Sequence, residues 1–244
     1  MSEQRDLEGL SALVTGATSG IGKAAAEQLA RQGAEVIVHG RDAARGQAVV
    51  DAITANGGKA RFVSADLTNP AELDDLAQQA AGVDVLVNNA GYAWFGPTPE
   101  LDAANFGLLF TANVQAPYFL TAALAPKMAA RGSGAIINIG SMAGEVGMPG
   151  GAAYGATKAA LDSMTRSWAA EYSPAGVRIN TVASGPVYTA IQPAEVTDAV
   201  GATTIMARAA QPEEIANVIV FLASPKASYI TGAVIAADGG RTAI

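Results

Sequence analysis

The amino-acid sequence predicts an α/β fold: a doubly wound, seven-stranded parallel sheet with helices on both faces, in a single domain spanning 1–244. Short β-branched runs alternate with longer helical patterns along the chain. Several of these runs are apolar throughout, as strands covered on both faces must be. Repeated strand–helix–strand order then requires right-handed crossovers and parallel strands. Strands are expected at 11–16 (SALVTG), 35–40 (EVIVHG), 60–66 (ARFVSAD), 83–89 (VDVLVNN), 134–140 (GAIINIG), 177–183 (VRINTVA) and 232–239 (GAVIAADG). Helices are expected near 20–32, 42–55, 70–80, 101–130, 152–172 and 212–223. Asp42, Asn69-Pro70 and Gln211-Pro212 followed by Glu213-Glu214 supply start signals. The irregular stretch 184–211 reads as an inserted loop with a short helix, a candidate lid over the carboxyl ends of the strands, where open parallel sheets bind ligands.

Composition narrows the function. Hydrophobic residues make up 50% of 244 positions and charged residues 15%, enough for a large core and against disorder. Fifteen basic against twenty-two acidic residues, with no Lys or Arg run, argue against a nucleic-acid or anionic-membrane surface. Absence of cysteine excludes disulfides, thiol chemistry and Cys-based zinc sites, and a single histidine, His39, leaves no His-clustered metal site. The start of the chain, MSEQRDLEGL, has no apolar core of a leader, and no uninterrupted 18-residue apolar run occurs. A soluble cytoplasmic protein is expected.

After the first expected strand comes TGATSGIG, 15–22. Gly16 permits a tight turn, Gly20 lets backbone approach a ligand, and Gly22 lets the next helix pack on the strand. The helix start would offer free amides and a positive dipole end to a pyrophosphate, with Thr18, Ser19 and Ile21 around it. A glycine-rich turn can also merely end a strand, but this one lies between strand and helix, where the nucleotide motif requires it.

Taken in order, TGATSGIG, ADL at 65–67, NNAG at 88–91, Asn113, GS at 140–141, YGATK at 154–158, NTVASGPVYT at 180–189 and ADGG at 237–240 resemble the short-chain dehydrogenase/reductase family over essentially the whole chain. Ser141 precedes Tyr154 by thirteen positions, the family's common interval. The resemblance implies a Rossmann-like fold and an oxidoreductase that interconverts a carbonyl, of ketone or 3-oxoacyl type, and a secondary alcohol by hydride transfer. Tyr154 would be general acid/base, Ser141 would bind and orient the substrate oxygen, and Lys158 would also bond the nicotinamide ribose. Asn113 would hold a water in a proton relay. Asp66 and Leu67 match adenine contacts; Asn88, Asn89, Ala90 and Gly91 match the motif beside the cofactor. Val187 and Thr189, in the segment with Gly185 and Pro186, would meet the carboxamide. Ser184-Gly185 stands where relatives commonly carry Pro-Gly, which adds backbone freedom. The family also implies a homotetramer, packed through 101–130 and 152–172.

Tyr154 and Lys158 are four apart on one helix face. Elsewhere such a pair would be a surface tyrosine beside a surface lysine. Beside a nucleotide it has a use: a phenol's ordinary value near 10 is too high for neutral-pH proton transfer, and an ammonium ~4 Å away in an effective dielectric near 20 could lower it by up to about three units. Burial would oppose the shift. Tyr154 is expected to titrate well below its ordinary value.

The second strand ends VHGRD. Gly40 stands where NAD-preferring relatives carry Asp, and Arg41 could pair with a 2′-phosphate, so NADP(H) is the expected cofactor, with NAD(H) second. Asp42 reads as a helix cap. Ser19 departs from the basic residue that some NADP-using relatives place in the glycine turn. Trp94, Phe95, Val146, Met148 and Tyr188, with Ser141 and Tyr154, suggest a pocket for a small apolar ketone, alcohol or acyl-thioester tail. The same aromatics and methionine could instead be core. Arg208 is expected to pair with Glu213 or Glu214. A non-catalytic nucleotide sensor or scaffold on the same fold is the competing reading. An epimerase would need a further carboxyl-terminal domain, and enoyl reductases space Tyr and Lys more widely.

Overall fold

A computed structural model describes residues 5–244. The β-branched runs form Ser11–Val14 (β1), Glu35–Gly40 (β2), Lys59–Ser64 (β3), Val85–Asn88 (β4), Gly134–Ser141 (β5), Val177–Ser184 (β6) and Val234–Ala237 (β7). All pair in parallel, in the order β3-β2-β1-β4-β5-β6-β7. The order reverses between β1 and β4, opening the crevice in which such sheets bind ligands. Several expected strands end early because the chain leaves the ladder to build that crevice: Thr15 and Gly16 belong to the glycine turn, and Asn89 to the loop after β4.

The helices are Gly20–Arg31 (α1), Ala43–Ala55 (α2), Pro70–Gln79 (α3), Ala103–Phe110 (α4), Ala116–Arg131 (α5), Ala152–Tyr172 (α6), Ala194–Gly201 (α7) and Pro212–Ala223 (α8). Their starts follow local chemistry. Asp42 accepts from the Arg45 amide at 3.0 Å, and Asn69 accepts from the Ala71 amide at 3.1 Å ahead of Pro70. Glu214 reaches back to the Gln211 amide at 2.9 Å in a capping box. The single helix expected over 101–130 is instead α4 and α5 joined by a π-helical turn, Thr111–Gln115. Pro117 has no N–H to direct at the Asn113 carbonyl, so an α-helical ladder cannot run unbroken through this point.

Two cores flank the sheet. On one face α1, α2 and α8 bring Ala25, Leu29, Val49, Ile53, Ile219 and Leu222 together. On the other, α3, α5 and α6 bring Leu76, Leu120, Leu124, Met128, Leu161 and Trp168. By length and composition the stretch Ala103–Arg131 is apolar enough to cross a membrane, but 44% of its apolar window is buried inside the molecule.

Polar residues also cross the centre of the sheet. Asn88 on β4 donates to Asn138 on β5 at 2.8 Å, Asn138 donates to Thr165 on α6 at 2.8 Å, and Thr165 shares a 2.8 Å hydrogen bond with Thr181 on β6. All four are buried. A half-satisfied network costs more than an apolar one, so Asn138→Ala is expected to destabilise the fold by about 3 kcal/mol in denaturant titration. The exposed control Gln47→Ala, on α2, should change stability by under ~0.5 kcal/mol.

Candidate active site

The crevice between β1 and β4 holds a cleft of about 330 Å³ whose floor is the glycine-rich turn. Gly16 and Gly20 have φ of +64° and +53°, conformations that favour glycine. A Cβ on Gly22 would run into the Gly16 carbonyl and the Asn89 side chain, so α1 can begin against the turn only without a side chain there. Ser19 stands at the N-cap of α1 without capping it through its side chain, leaving the first-turn amides and the positive dipole end for a ligand. This cradle fits a dinucleotide pyrophosphate.

Of the residues expected around such a ligand, Gly16, Thr18, Ser19, Gly20, Ile21, Gly40, Arg41, Asp66, Leu67, Asn89, Ala90, Gly91 and Thr189 line this cleft. Asn89 also builds it, donating to the Thr15 and Gly16 carbonyls at 2.8 and 3.1 Å. A Cβ on Gly40 would collide with the Thr18 methyl. Gly185, Pro186 and Val187 lie elsewhere. Gly185 packs on the Asp238 backbone, Pro186 borders a separate hollow beside β7, and Val187 packs against the core and forms a parallel bridge with Ala210. The backbone freedom expected at Ser184 is taken up by strand pairing, since Ser184 lies opposite Ser141 at the end of β6.

Arg45 and His39 are among the lining residues that were not legible as such. Arg45 reaches the cleft one helical turn after Arg41, while its Nε holds Asp42 at 2.9 Å. His39 lies beneath the turn: Nδ1 accepts from the Gly16 amide at 3.2 Å, which leaves Nε2–H to donate to the Ala65 carbonyl at 3.1 Å. The ring thus joins the glycine turn to the segment after β3.

Beyond the cleft stand the groups that could do chemistry. Ser141 ends β5 and its Oγ accepts from the Ala143 amide at 3.2 Å, which leaves its O–H free to donate elsewhere. Tyr154 and Lys158 share one face of α6, with Lys158 Nζ 5.6 Å from the tyrosine ring centroid. Lys158 is buried and donates to the Ile139 carbonyl at 2.8 Å. Glycines let α6 lie this close: a Cβ at Gly155 would run into the Ala143 carbonyl, and one at Gly144 would lie 3.0 Å from the Ala159 amide.

Tyr154 does not titrate below its ordinary value here. Burial pushes its phenol up, and the Ser141 hydroxyl beside it only partly offsets this. Lys158 does not supply the expected lowering because its ammonium stands over the ring and is itself desolvated, which brings it down to about 8. Asn113 is in the π-helical turn, and its side chain is engaged with protein: Oδ1 accepts from the Tyr92 amide at 2.8 Å, and Nδ2 donates to the Tyr92 carbonyl at 2.8 Å and to Thr157 at 3.0 Å. It clamps the loop after β4 onto α6. Thr157, missed in the sequence, completes that clamp by donating to the Tyr154 carbonyl at 2.7 Å.

Among the expected pocket residues, Phe95 stacks 5.2 Å from the Tyr154 ring at 55°. The Phe95 ring and Met148 both lie against Gly151, Val146 is half-buried in the loop that carries Met148, and Trp94 folds back over Gly96. The two loops are joined where the Gly96 amide donates to the Gly150 carbonyl at 3.1 Å. Tyr188 faces the other way: its hydroxyl donates to Asp198 on α7, and it borders a hollow beside α1. Arg208 pairs with Glu214 through two hydrogen bonds of 2.8 and 2.7 Å.

A family model described as enoyl-(acyl carrier protein) reductase matches residues 16–242. The chain is 38% identical to a 3-oxoacyl-[acyl-carrier-protein] reductase of Vibrio cholerae, covering 96% of this chain and 98% of that one. A solved short chain dehydrogenase/reductase family protein is 49% identical, with 98% and 100% of the chains covered and a TM-score of 0.93. A putative NAD(P) dependent gluconate 5-dehydrogenase from Beutenbergia cavernae, solved with bound NADP at low occupancy, is 39% identical, with 99% and 100% covered and a TM-score of 0.94.

Burial, the largest influence on His39, holds its ring below the ordinary 6.5. Protonation would cost the Gly16 amide its acceptor. The folded state therefore resists a proton that the unfolded chain takes up readily, so the stability tied to the neutral ring is complete above about pH 6.5 and lost as pH falls toward the folded value. The melting temperature should drop on acidification through this range, and the His39-dependent part of that drop should vanish in His39→Gln; parallel curves for the two proteins would refute it.

Proposed function

Because the chain belongs to the short-chain dehydrogenase/reductase family of oxidoreductases acting on CH–OH and C=O groups, we propose that it interconverts a small apolar ketone or 3-oxoacyl compound and its secondary alcohol, with NADP(H) as the preferred cofactor. The observation that carries this reading is the convergence of Ser141, Tyr154 and Lys158 at the carboxyl end of β5, next to a glycine-floored nucleotide cleft. The description of the family model names an enoyl reductase, but the four-residue spacing of Tyr154 and Lys158 supports carbonyl chemistry.

Bound in the cleft, a nicotinamide dinucleotide would supply or accept the hydride. The chain's own residues would manage the oxygen. Ser141, whose Oγ already accepts from Ala143, would donate its proton to the substrate oxygen and fix its direction. Tyr154, a phenol that burial pushes further up and so keeps its proton at neutral pH, would deliver the proton that carbonyl reduction requires at that oxygen. Lys158 would place a positive charge beside the phenolate left behind. Phe95 and Met148 would keep water from the reacting oxygen and favour apolar substituents.

Gly40 and the paired Arg41 and Arg45 at the adenosine end support the phosphorylated cofactor. Exposed Phe106, Tyr118 and Phe119 on α4 and α5 support a homotetramer packed through α4, α5 and α6; a cytoplasmic location is part of the same proposal.

Tyr154→Phe should lower turnover at least ~10²-fold on a panel of ketones and alcohols while nucleotide affinity is kept; unchanged turnover would remove Tyr154 as proton donor. Arg41→Ala should raise KM for NADPH roughly tenfold with little change for NADH. A wild-type preference for NADH would overturn the cofactor assignment. Sedimentation should show four copies, and a monomer would contradict the assembly.

A further inference from the structure

Asp162 is the one acidic side chain of α6 that is buried, at 5% exposure, and its Oδ1 has no hydrogen-bond partner. It lies one helical turn after Lys158 and two after Tyr154, so the three share a face of α6. The backbone around it is cut away. A Cβ on Gly140 would lie 3.3 Å from Oδ1, and one on Gly144 3.2 Å from Oδ2. These two glycines flank Ser141 and its turn, so the carboxyl group sits directly beneath the segment that carries the serine.

Four groups act on it from the elements packed around it. Lys158 and Arg166 stand one turn to either side on α6, Glu145 approaches from the loop after the serine turn, and the Thr181 hydroxyl approaches from β6. Thr181 is also the end of the chain of hydrogen bonds that begins at Asn88. A carboxyl group placed in a protein interior with an open lone pair needs a reason, because burial opposes its charge. Lys158 supplies one. Its ammonium is as deeply buried and has one protein hydrogen bond, to Ile139. Burial lowers the pH at which such an ammonium gives up its proton, and a negative charge nearby raises it.

We propose that Asp162 is a positioning residue: its carboxylate, wedged under Gly140 and Gly144, keeps the Lys158 ammonium charged and seated on the Ile139 carbonyl, and so sets the pH range in which Lys158 can support a Tyr154 phenolate. This rests on the carbonyl–alcohol reading for its consequence in turnover, though not for the charge coupling itself. The two side chains divide the range between them. Asp162 is pushed up to about 6, by burial first and then by Glu145; Lys158 is brought down to about 8 by burial, with Asp162 opposing. Between those values the pair is oppositely charged. Below about 6 the carboxyl takes a proton, and above about 8 the amine loses one.

The direct test follows the Lys158 amine by NMR in the full-length protein, with the lysine side-chain nitrogens labelled and the signal assigned by its loss in Lys158→Arg. In wild type the signal should shift in two steps, the lower coinciding with titration of the Asp162 carboxyl carbon. In Asp162→Asn the lower step should vanish and the Lys158 midpoint should fall by about one pH unit. The alkaline limb of the turnover profile should move down with it. A single-step titration in wild type overturns the proposal even should the variant fail to fold, and so does an unchanged Lys158 midpoint in a folded variant. A purely structural Asp162 would lower the melting temperature and leave both midpoints in place. The turnover panel separates the two readings: if the wild type turns over no ketone or alcohol the carbonyl reading fails, and if Tyr154→Phe retains full turnover Tyr154 is not the proton donor, while in either case the Lys158 titration still decides the role of Asp162.

Discussion

Lys158 reaches the Ile139 carbonyl only because nothing larger than a hydrogen atom separates α6 from the turn that follows β5. Gly155 and Gly144 make that approach, and the rest of the site is arranged around it. Ser141 ends its strand where α6 begins to pass, Thr157 and Asn113 lock the same stretch of helix to the loop after β4, and Phe95 closes over the tyrosine. Side chains on three different strands and helices are thus set by one contact between backbones. Such positioning suits a reaction in which a proton and a hydride must arrive at adjacent atoms, since small misplacements in a reacting pair cost rate steeply.

The interior of the sheet is unusually polar beside this contact. Asn88, Asn138, Thr165 and Thr181 replace aliphatic side chains in strands and a helix that are otherwise apolar, and nearly every one of their groups finds a partner. Burying amides and hydroxyls gains little net stability when they are paired and loses much when they are not. Their bonds are directional, however, and they tie β4, β5, β6 and α6 in one register. An aliphatic core would tolerate sliding between α6 and the sheet more readily.

The strand runs, helix starts and the glycine turn could be read from the sequence because each is set by local pattern: β-branched runs, cap residues, and glycine where the chain turns sharply. The break within 101–130 was also local, in Pro117, but the strong apolar pattern on both sides masked it. What escaped the sequence depends on distant partners. His39 acquires its place from the Gly16 amide and the Ala65 carbonyl, and Asn113 from Tyr92 and Thr157. The direction of the Tyr154 shift depends on competing burial and charge, and the spacing of two residues on a helix fixes neither the depth of the pocket nor where the ammonium points. Tyr188 was assigned to the pocket from its neighbours in sequence, whereas Asp198 on α7 decides which way its hydroxyl turns.

The meeting of Gly40 with the Thr18 methyl has a consequence for how this cleft could change. Any side chain introduced at 40, an acidic one included, must first find room that Thr18 occupies. A route to altered nucleotide selectivity therefore has an order: trimming at 18 opens the way, and substitution at 40 made alone meets a steric penalty before any electrostatic gain can show. Two positions twenty-two residues apart in sequence are thus sterically coupled.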